Sequence, residues 1–229
     1  MANLPPQRGK ARVIVVDDHP VVRRGLAQLI NHETDLEVCK ETGSAQETLK
    51  AISEQEPDIV VLDLTLGDTN GFSLIKDIKM RHKGVAVLVL SMHDESLYAE
   101  RALRAGAQGY IMKEEATERV IGAIRRVLKG DIHLSEKMST RLLSQMLGGT
   151  KDHQSHLSCL SDRELEVFEL IGRGLQTRQI AEKLHLSVKI IETHRANIKR
   201  KLDLGNAIEL LQYATQWAQD STNDRSQTD

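Results

Sequence analysis

The chain has 229 residues, enough for one large domain or two small ones. Hydrophobic residues make up 40% and charged residues 28%, which excludes a wholly disordered chain. Aromatics at 3% leave the core to Val, Ile, Leu and Ala, and a net charge of −2 excludes a uniformly basic surface. Cys39 and Cys159 lie far apart, outside any CxxC or His-rich setting, which argues for a reducing compartment and against structural zinc. Residues 1–10 lack the apolar run of a signal peptide, and no apolar stretch approaches the ~20 residues that span a bilayer. The expectation is a soluble, cytoplasmic protein.

From Arg12 to Gly130, short β-branched runs alternate with longer amphipathic stretches. The runs are Arg12–Asp17 (RVIVVD), Leu36–Glu41 (LEVCKE), Ile59–Asp63 (IVVLD), Ala86–Ser91 (AVLVLS) and Gly109–Met112 (GYIM). The first, third and fourth are almost unbroken Val, Ile and Leu, as strands buried on both faces require. Amphipathic segments fall near 20–31, 44–55, 72–82, 95–105 and 115–129. Residues 10–130 therefore predict an α/β doubly wound domain on a five-stranded parallel sheet. The second run, with its alternating polar residues, suits a sheet edge.

Residues 131–157 read as a linker, with a short helix over 135–147 and a hinge at Gly148-Gly149. From 158 to 220 the pattern is wholly helical. Ser161 and Glu164 form a capping box that starts a helix reaching about Gly172. A second helix is expected over Thr177–Leu184, a third from Ser187 to about Leu202, and a fourth over 206–219. The polar tail, 221–229, is expected to be disordered.

In an open parallel sheet the ligand site lies at the carboxyl ends of the strands. Asp17 and Asp18 close the first strand here, Asp63 the third and Ser91 the fourth, and Lys113 follows the fifth. Carboxylates converging at one edge repel each other unless a cation intervenes. Mg²⁺ suits oxygen ligands and keeps room in its shell for waters and a phosphate, so the arrangement predicts Mg²⁺-assisted phosphoryl transfer. Taken singly, each residue is commonplace: an Asp pair as a helix cap, Ser91 as a capping hydroxyl, Lys113 as a surface lysine, Tyr110 as a packing aromatic. Their joint occurrence at successive strand ends is not. His19 reads only as the start of the first helix.

Asp17-Asp18, Asp63 in VVLDLTLGDTNG, Ser91 in VLVLS and Lys113 in GAQGYIMK resemble the receiver domain of two-component response regulators. The resemblance implies strand order 2-1-3-4-5, and Asp63 as phosphoacceptor from a sensor histidine kinase. It implies that Asp18 binds Mg²⁺ directly and Asp17 through water, with Asp63 and the Thr65 backbone carbonyl completing the protein ligands. Lys113 would pair with the phosphoryl group and Ser91 would swing to bond one of its oxygens. Tyr110 would turn inward as its hydroxyl leaves a resting place. Two positions depart from the family pattern: Leu66-Gly67 stands where Met-Pro is common, and Glu114 where proline, often after a cis bond, follows the lysine.

The C-terminal stretches LSDRELEVFELIGRGL, QTRQIAEKLHLS and VKIIETHRANIKRKL resemble the LuxR-type (NarL/FixJ) helix-turn-helix domain. Ile190 and Gln176-Thr177-Arg178-Gln179 depart from the usual residues beside the motif. On a 100° helical wheel Ile191, Ile198 and Leu202 share an inner face, with His194 at its margin. Lys189, Thr193, Ala196 and Arg200 point outward, flanked by Glu192 and Lys199. Between Arg178 and Lys201 there are seven basic residues and two acidic ones, a local footprint for DNA. The resemblance implies base-edge contacts at Glu192, Thr193 and Ala196. Lys189, Arg195, Lys199 and Arg200 are better placed for phosphates. The apolar last helix (Ile208, Leu210, Leu211, Tyr213, Trp217) would close the core and supply a homodimer contact.

The two halves together imply a transcription regulator in which phosphorylation of Asp63 shifts the 91–110 surface, frees the DNA-binding domain through the linker and favours a dimer. It is not expected to be an enzyme beyond possible autophosphatase activity. Two rival readings are a constitutive DNA-binding regulator with a phosphorylation-independent receiver, and an Mg²⁺-dependent phosphatase. The second lacks an acid two residues after Asp63, where Thr65 stands.

Overall fold

The computed structural model describes residues 9–67, 69–146, 156–157 and 159–225. The chain divides into two compact units near residue 143, and each is taken by itself.

The first unit is a five-stranded parallel sheet: β1 (Ala11–Val16), β2 (Leu36–Thr42), β3 (Ile59–Leu62), β4 (Ala86–Ser91) and β5 (Gly109–Met112). Its order is β2-β1-β3-β4-β5, as the sequence implied. Parallel neighbours need long crossovers, supplied by α1 (Pro20–Asn31), α2 (Ala45–Gln55), α3 (Gly71–Arg81) and α4 (Glu95–Ala105), and α5 (Ala116–Leu128) follows the last strand. On one face Val13, Val15, Ile59, Val61, Leu88 and Leu90 form a core with Leu26 and Ile30 of α1 and Val120 and Ile124 of α5. The alternate residues Ile14, Val16, Val60, Leu62, Val87 and Val89 are buried too, which explains the unbroken apolar runs. Only β2 mixes buried and exposed positions, and it lies at the edge.

The loop after β3 is shaped for the site. Thr65–Leu66 pairs antiparallel with Thr69–Asn70, turning at Gly67, whose φ of +53° lies in the left-handed region. Asn70 caps α3 by accepting the Phe72 N–H at 2.8 Å. A Cβ at Gly71 would stand 2.6 Å from the Leu64 Cα, so only glycine lets α3 begin this close to the loop after β3. After α5 comes α6 (Glu136–Met146), within the stretch read as linker.

The second unit holds α7 (Asp162–Gly172), α8 (Thr177–Lys183), α9 (Val188–Lys201) and α10 (Ala207–Arg225). Both halves of the Ser161–Glu164 capping box are formed. The Glu164 carboxylate also accepts from Lys201 Nζ at 2.6 Å, tying the start of α7 to the end of α9. The core is Leu165, Val167, Phe168, Ile171, Ile180, Ile191, Ile198, Leu210 and Ala214. The Phe168 ring meets Tyr213 and Trp217 of α10 at 5.8 Å between centroids, in the tilted geometry aromatic pairs favour. Helix α10 runs to Arg225, beyond the expected end near 219 and into the stretch read as a disordered tail. Polarity marked that stretch as tail, yet it contains no Gly or Pro to stop a helix. The expected hinge at Gly148-Gly149 and residues 226–229 lie outside the described residues.

Candidate functional site

The carboxyl edge of the sheet brings together Asp17, Asp18, Asp63 and Lys113. Asp63 is 3% exposed and Asp17 1%. Backbone bonds set both at the sheet edge: the Asp63 N–H donates to the Val16 carbonyl at 2.9 Å, and the Asp17 N–H to that of Thr42 at 3.2 Å. Lys113 Nζ reaches down between them and lies 2.6 Å from Asp17 Oδ2 and 2.6 Å from Asp63 Oδ2. The other Asp63 oxygen accepts the Thr65 N–H at 3.2 Å. Burial pushes the Asp63 carboxyl above its ordinary pKa, and Lys113 only partly offsets this. Burial pulls Lys113 down, but Asp63 and Asp17 outweigh it and hold the ammonium above the usual lysine value.

Asp18 sits higher on the rim. Its Oδ2 accepts the Gly67 N–H at 3.1 Å, a bond that proline at 67 has no N–H to make. Its Oδ1 is buried, and the His19 ring nitrogen lies 2.6 Å from it. One ligand atom each from Asp17, Asp18, His19 and Asp63 lies within 4.8 Å of the others. Oxygen donors of this charge and closeness, one of them lacking a donor other than His19, fit a hard divalent cation. His19 does begin α1, at its N-cap position, but its ring also joins the acidic group.

The remaining expected residues lie one step out. Ser91 is fully buried, and its Oγ accepts the His93 N–H at 3.2 Å. Tyr110 is already inward, 1% exposed, with its hydroxyl donating to the His93 carbonyl at 2.8 Å. This differs from the expected outward resting place: a phenol whose hydroxyl already has a backbone carbonyl partner has no need of the surface. Thr65 Oγ1 lies 3.3 Å from His93 Nε2, and the His93 ring stacks on Tyr98 at 4.3 Å. His93 thus touches Thr65, Ser91, Tyr98 and Tyr110. Sequence reasoning missed it because its partners come from three separate segments. At Glu114 the chain enters a 3₁₀ turn over Lys113–Glu115, and no cis peptide bond occurs among the described residues.

In the second unit α9 starts from Ser187, whose side chain accepts the Ile190 N–H. Ile191 and Ile198 are fully buried, which turns Lys189, Glu192, Thr193, Ala196 and Arg200 outward to solvent. Arg195 and Lys199 are half-buried at the sides, and burial lowers the Arg195 pKa. The Thr193 hydroxyl donates to the Lys189 carbonyl at 3.0 Å. Val188 and Ile190 are also exposed at the start of this helix, two apolar side chains the charge pattern did not single out.

Comparison with known proteins agrees with both halves. Residues 13–125 match the response regulator receiver domain, and residues 158–214 match the bacterial regulatory proteins of the luxR family. The oxygen regulatory protein NreC of Staphylococcus carnosus is 34% identical over 208 residues, covering 89% of this chain and 96% of that protein. The RcsB response regulator of Salmonella typhimurium superposes with a TM-score of 0.64 at 25% identity, over 91% of this chain and 98% of that one. RcsB of Salmonella enterica serovar Typhimurium bound to promoter rprA with the phosphomimetic BeF3− gives 0.61 at 25% identity, over 90% and 99%. The chain belongs to the NarL/FixJ family of two-component response regulators. It is a phosphorylation-regulated, DNA-binding transcription regulator.

His194 gives this helical unit a predicted pH dependence. Its Nδ1 is buried without a partner, and burial lowers its pKa, with Glu164, Arg163 and Glu166 as smaller influences. The unfolded chain then binds this proton more readily than the folded one. Stability is highest above the ordinary histidine pKa of about 6.5 and declines as pH falls through it. Trp217, the only tryptophan, reports this unit's unfolding. Urea titrations followed by its fluorescence should show that decline, and His194→Gln should flatten it. A profile unchanged by the substitution would remove His194 as its source.

Proposed function

We propose that Asp63 accepts a phosphoryl group from a phosphohistidine of a sensor kinase, and that this controls DNA binding through α9. The observation that carries the reading is the Lys113 ammonium bridging buried Asp17 and Asp63 at 2.6 Å each. An Asp63 oxygen attacks phosphorus, the P–N bond to the kinase histidine breaks, and the imidazole leaves with the electron pair. Lys113, freed from one carboxylate, then neutralises a phosphoryl oxygen as a point charge. Ser91 donates its hydroxyl to another. Asp17, Asp18, Asp63 and the Thr65 backbone carbonyl would hold Mg²⁺, and bound Mg²⁺ neutralises charge building on the phosphoryl oxygens. The same pocket gives the slow loss of phosphate by attack of water, the one self-directed reaction this account includes.

At the other end, Glu192, Thr193 and Ala196 face base edges in the major groove, and Lys189, Arg195, Lys199 and Arg200 engage phosphates. Exposed Ile208 (67%) and Leu211 (46%) on α10 are apolar surface beyond what the core uses, and support a homodimer of the phosphorylated form on paired half-sites. The protein acts in the cytoplasm, where the kinase's output and the DNA meet.

Incubation with acetyl phosphate and Mg²⁺ should add one phosphoryl group, mapped by mass spectrometry to Asp63. Lys113→Ala should slow that transfer roughly a hundredfold, and Asp63→Asn should abolish it. Label on another residue, or full labelling of Asp63→Asn, contradicts the assignment. For DNA, Arg200→Ala should weaken binding to all sequences alike and lower the salt slope by about one, whereas Glu192→Ala should relax preference at one base pair by about 1–3 kcal/mol. Competition titrations at several salt concentrations distinguish the two, and a sequence-selective loss in Arg200→Ala would reverse their roles.

A further inference from the structure

The outward face of α9 is not uniformly polar. Ile190 is 43% exposed and Val188 40%, at the start of a helix whose core positions are taken by Ile191 and Ile198. Ile190, Thr193 and Ala196 are all exposed and stand three residues apart, so they form one row along the helix. Thr193 belongs to that row by its methyl group. Its hydroxyl proton is spent on the Lys189 carbonyl one turn back, at 3.0 Å, which leaves the methyl to neighbours outside the helix. Asn197, half-buried beside the row, has its side-chain oxygen held by Arg200 at 3.2 Å. What the row presents is therefore aliphatic, and exposed Lys189 and Arg200 stand at its two ends.

The flanking cations suit a polyanion, and the row between them limits what that polyanion can offer. In the major groove the base edges carry donors and acceptors, plus one apolar group, the C5 methyl of thymine. Isoleucine and alanine can satisfy none of the donors or acceptors, and Thr193 has committed its own donor. The methyl is the one edge group that gains by meeting them. At 1.5 Å per residue the row is about 9 Å long, and successive bases stand about 3.4 Å apart on a strand. It can therefore meet about three successive base pairs. Glu192, on the other flank of the outward face, is left as the hydrogen-bonding reader.

We propose that α9 selects DNA by thymine methyl groups through Ile190, Thr193 and Ala196, so that the preferred half-site carries neighbouring A·T pairs with thymine toward this row. The inference rests on the reading of α9 as the DNA-contacting helix. It adds the class of base pair selected, and it adds Ile190, a position where this chain departs from the usual residue of its family. Each methyl taken out of water against an aliphatic side chain should change affinity about fourfold.

Selection from a random duplex library by the full chain, treated with acetyl phosphate and Mg²⁺, supplies the DNA probe. The enriched duplex is then resynthesised with deoxyuridine in place of each thymine in turn, which removes the methyl and keeps every base-pairing and groove hydrogen bond. Binding should weaken about fourfold at neighbouring positions within a half-site and stay unchanged elsewhere. Thr193→Ser keeps the hydroxyl and loses the methyl, and Ile190→Ala shortens an exposed side chain. Each variant should bind the thymine and uracil duplexes alike at one of those positions. A half-site without thymine, uracil tolerated throughout, or a uracil effect that both variants retain overturns the methyl row and leaves α9 a DNA reader. No enrichment over random duplex overturns that reading, and the row with it.

Discussion

Everything at the receiver's working edge follows from three carboxylates confined beside one ammonium. Asp17 and Asp63 are almost fully buried and would repel strongly in a poorly solvated site. Lys113 Nζ lies 2.6 Å from each and makes the pair tolerable. It cannot satisfy them completely, because burial still holds Asp63 above its ordinary pKa and Asp18 Oδ1 lies beside the His19 ring rather than the ammonium. A pocket left short of positive charge favours a divalent cation, and a group that brings phosphoryl oxygens then alters who pairs with Lys113. The parallel sheet makes the confinement possible, since its strands β1, β3 and β5 end on the same edge.

That edge was legible in the sequence because most of the candidate side chains sit at the ends of apolar runs. Val-Ile-Leu runs mark central strands, so the first polar residue after each marks the open edge. Asp17, Asp63 and Ser91 were found this way, and Lys113 after the shorter fifth run. The contacts of His93 with Thr65, Tyr98 and Tyr110 were not legible, because they depend on where β4, α4 and β5 come to rest. Gly67 shows the same limit: it read as a departure from a family pattern, whereas its left-handed turn and its N–H to Asp18 make it part of the site. Residues 131–157 read as a linker with a short helix. The backbone of His133 pairs with the open edge of β5, which composition does not report.

The helical unit is organised by a different constraint, the division of one helix between core and solvent. Burying Ile191 and Ile198 fixes the rotation of α9, and that rotation decides which of its residues face solvent. Spacing on the helix therefore predicted the outward face well. What it missed is the anchoring: Lys201 counted toward the basic footprint, yet its ammonium is held by Glu164 of the capping box. A basic residue committed to a structural carboxylate contributes little to phosphate binding.

The two units are joined by the claim that charge added at Asp63 changes how α9 meets DNA. One titration addresses it directly: operator DNA binding by the full chain treated with a phosphodonor, alongside Asp63→Asn treated identically. The account predicts tighter or more cooperative binding by the phosphorylated chain and no response in the variant. Equal binding curves for the two proteins would contradict it, and would leave a DNA-binding protein whose acidic pocket does not control it.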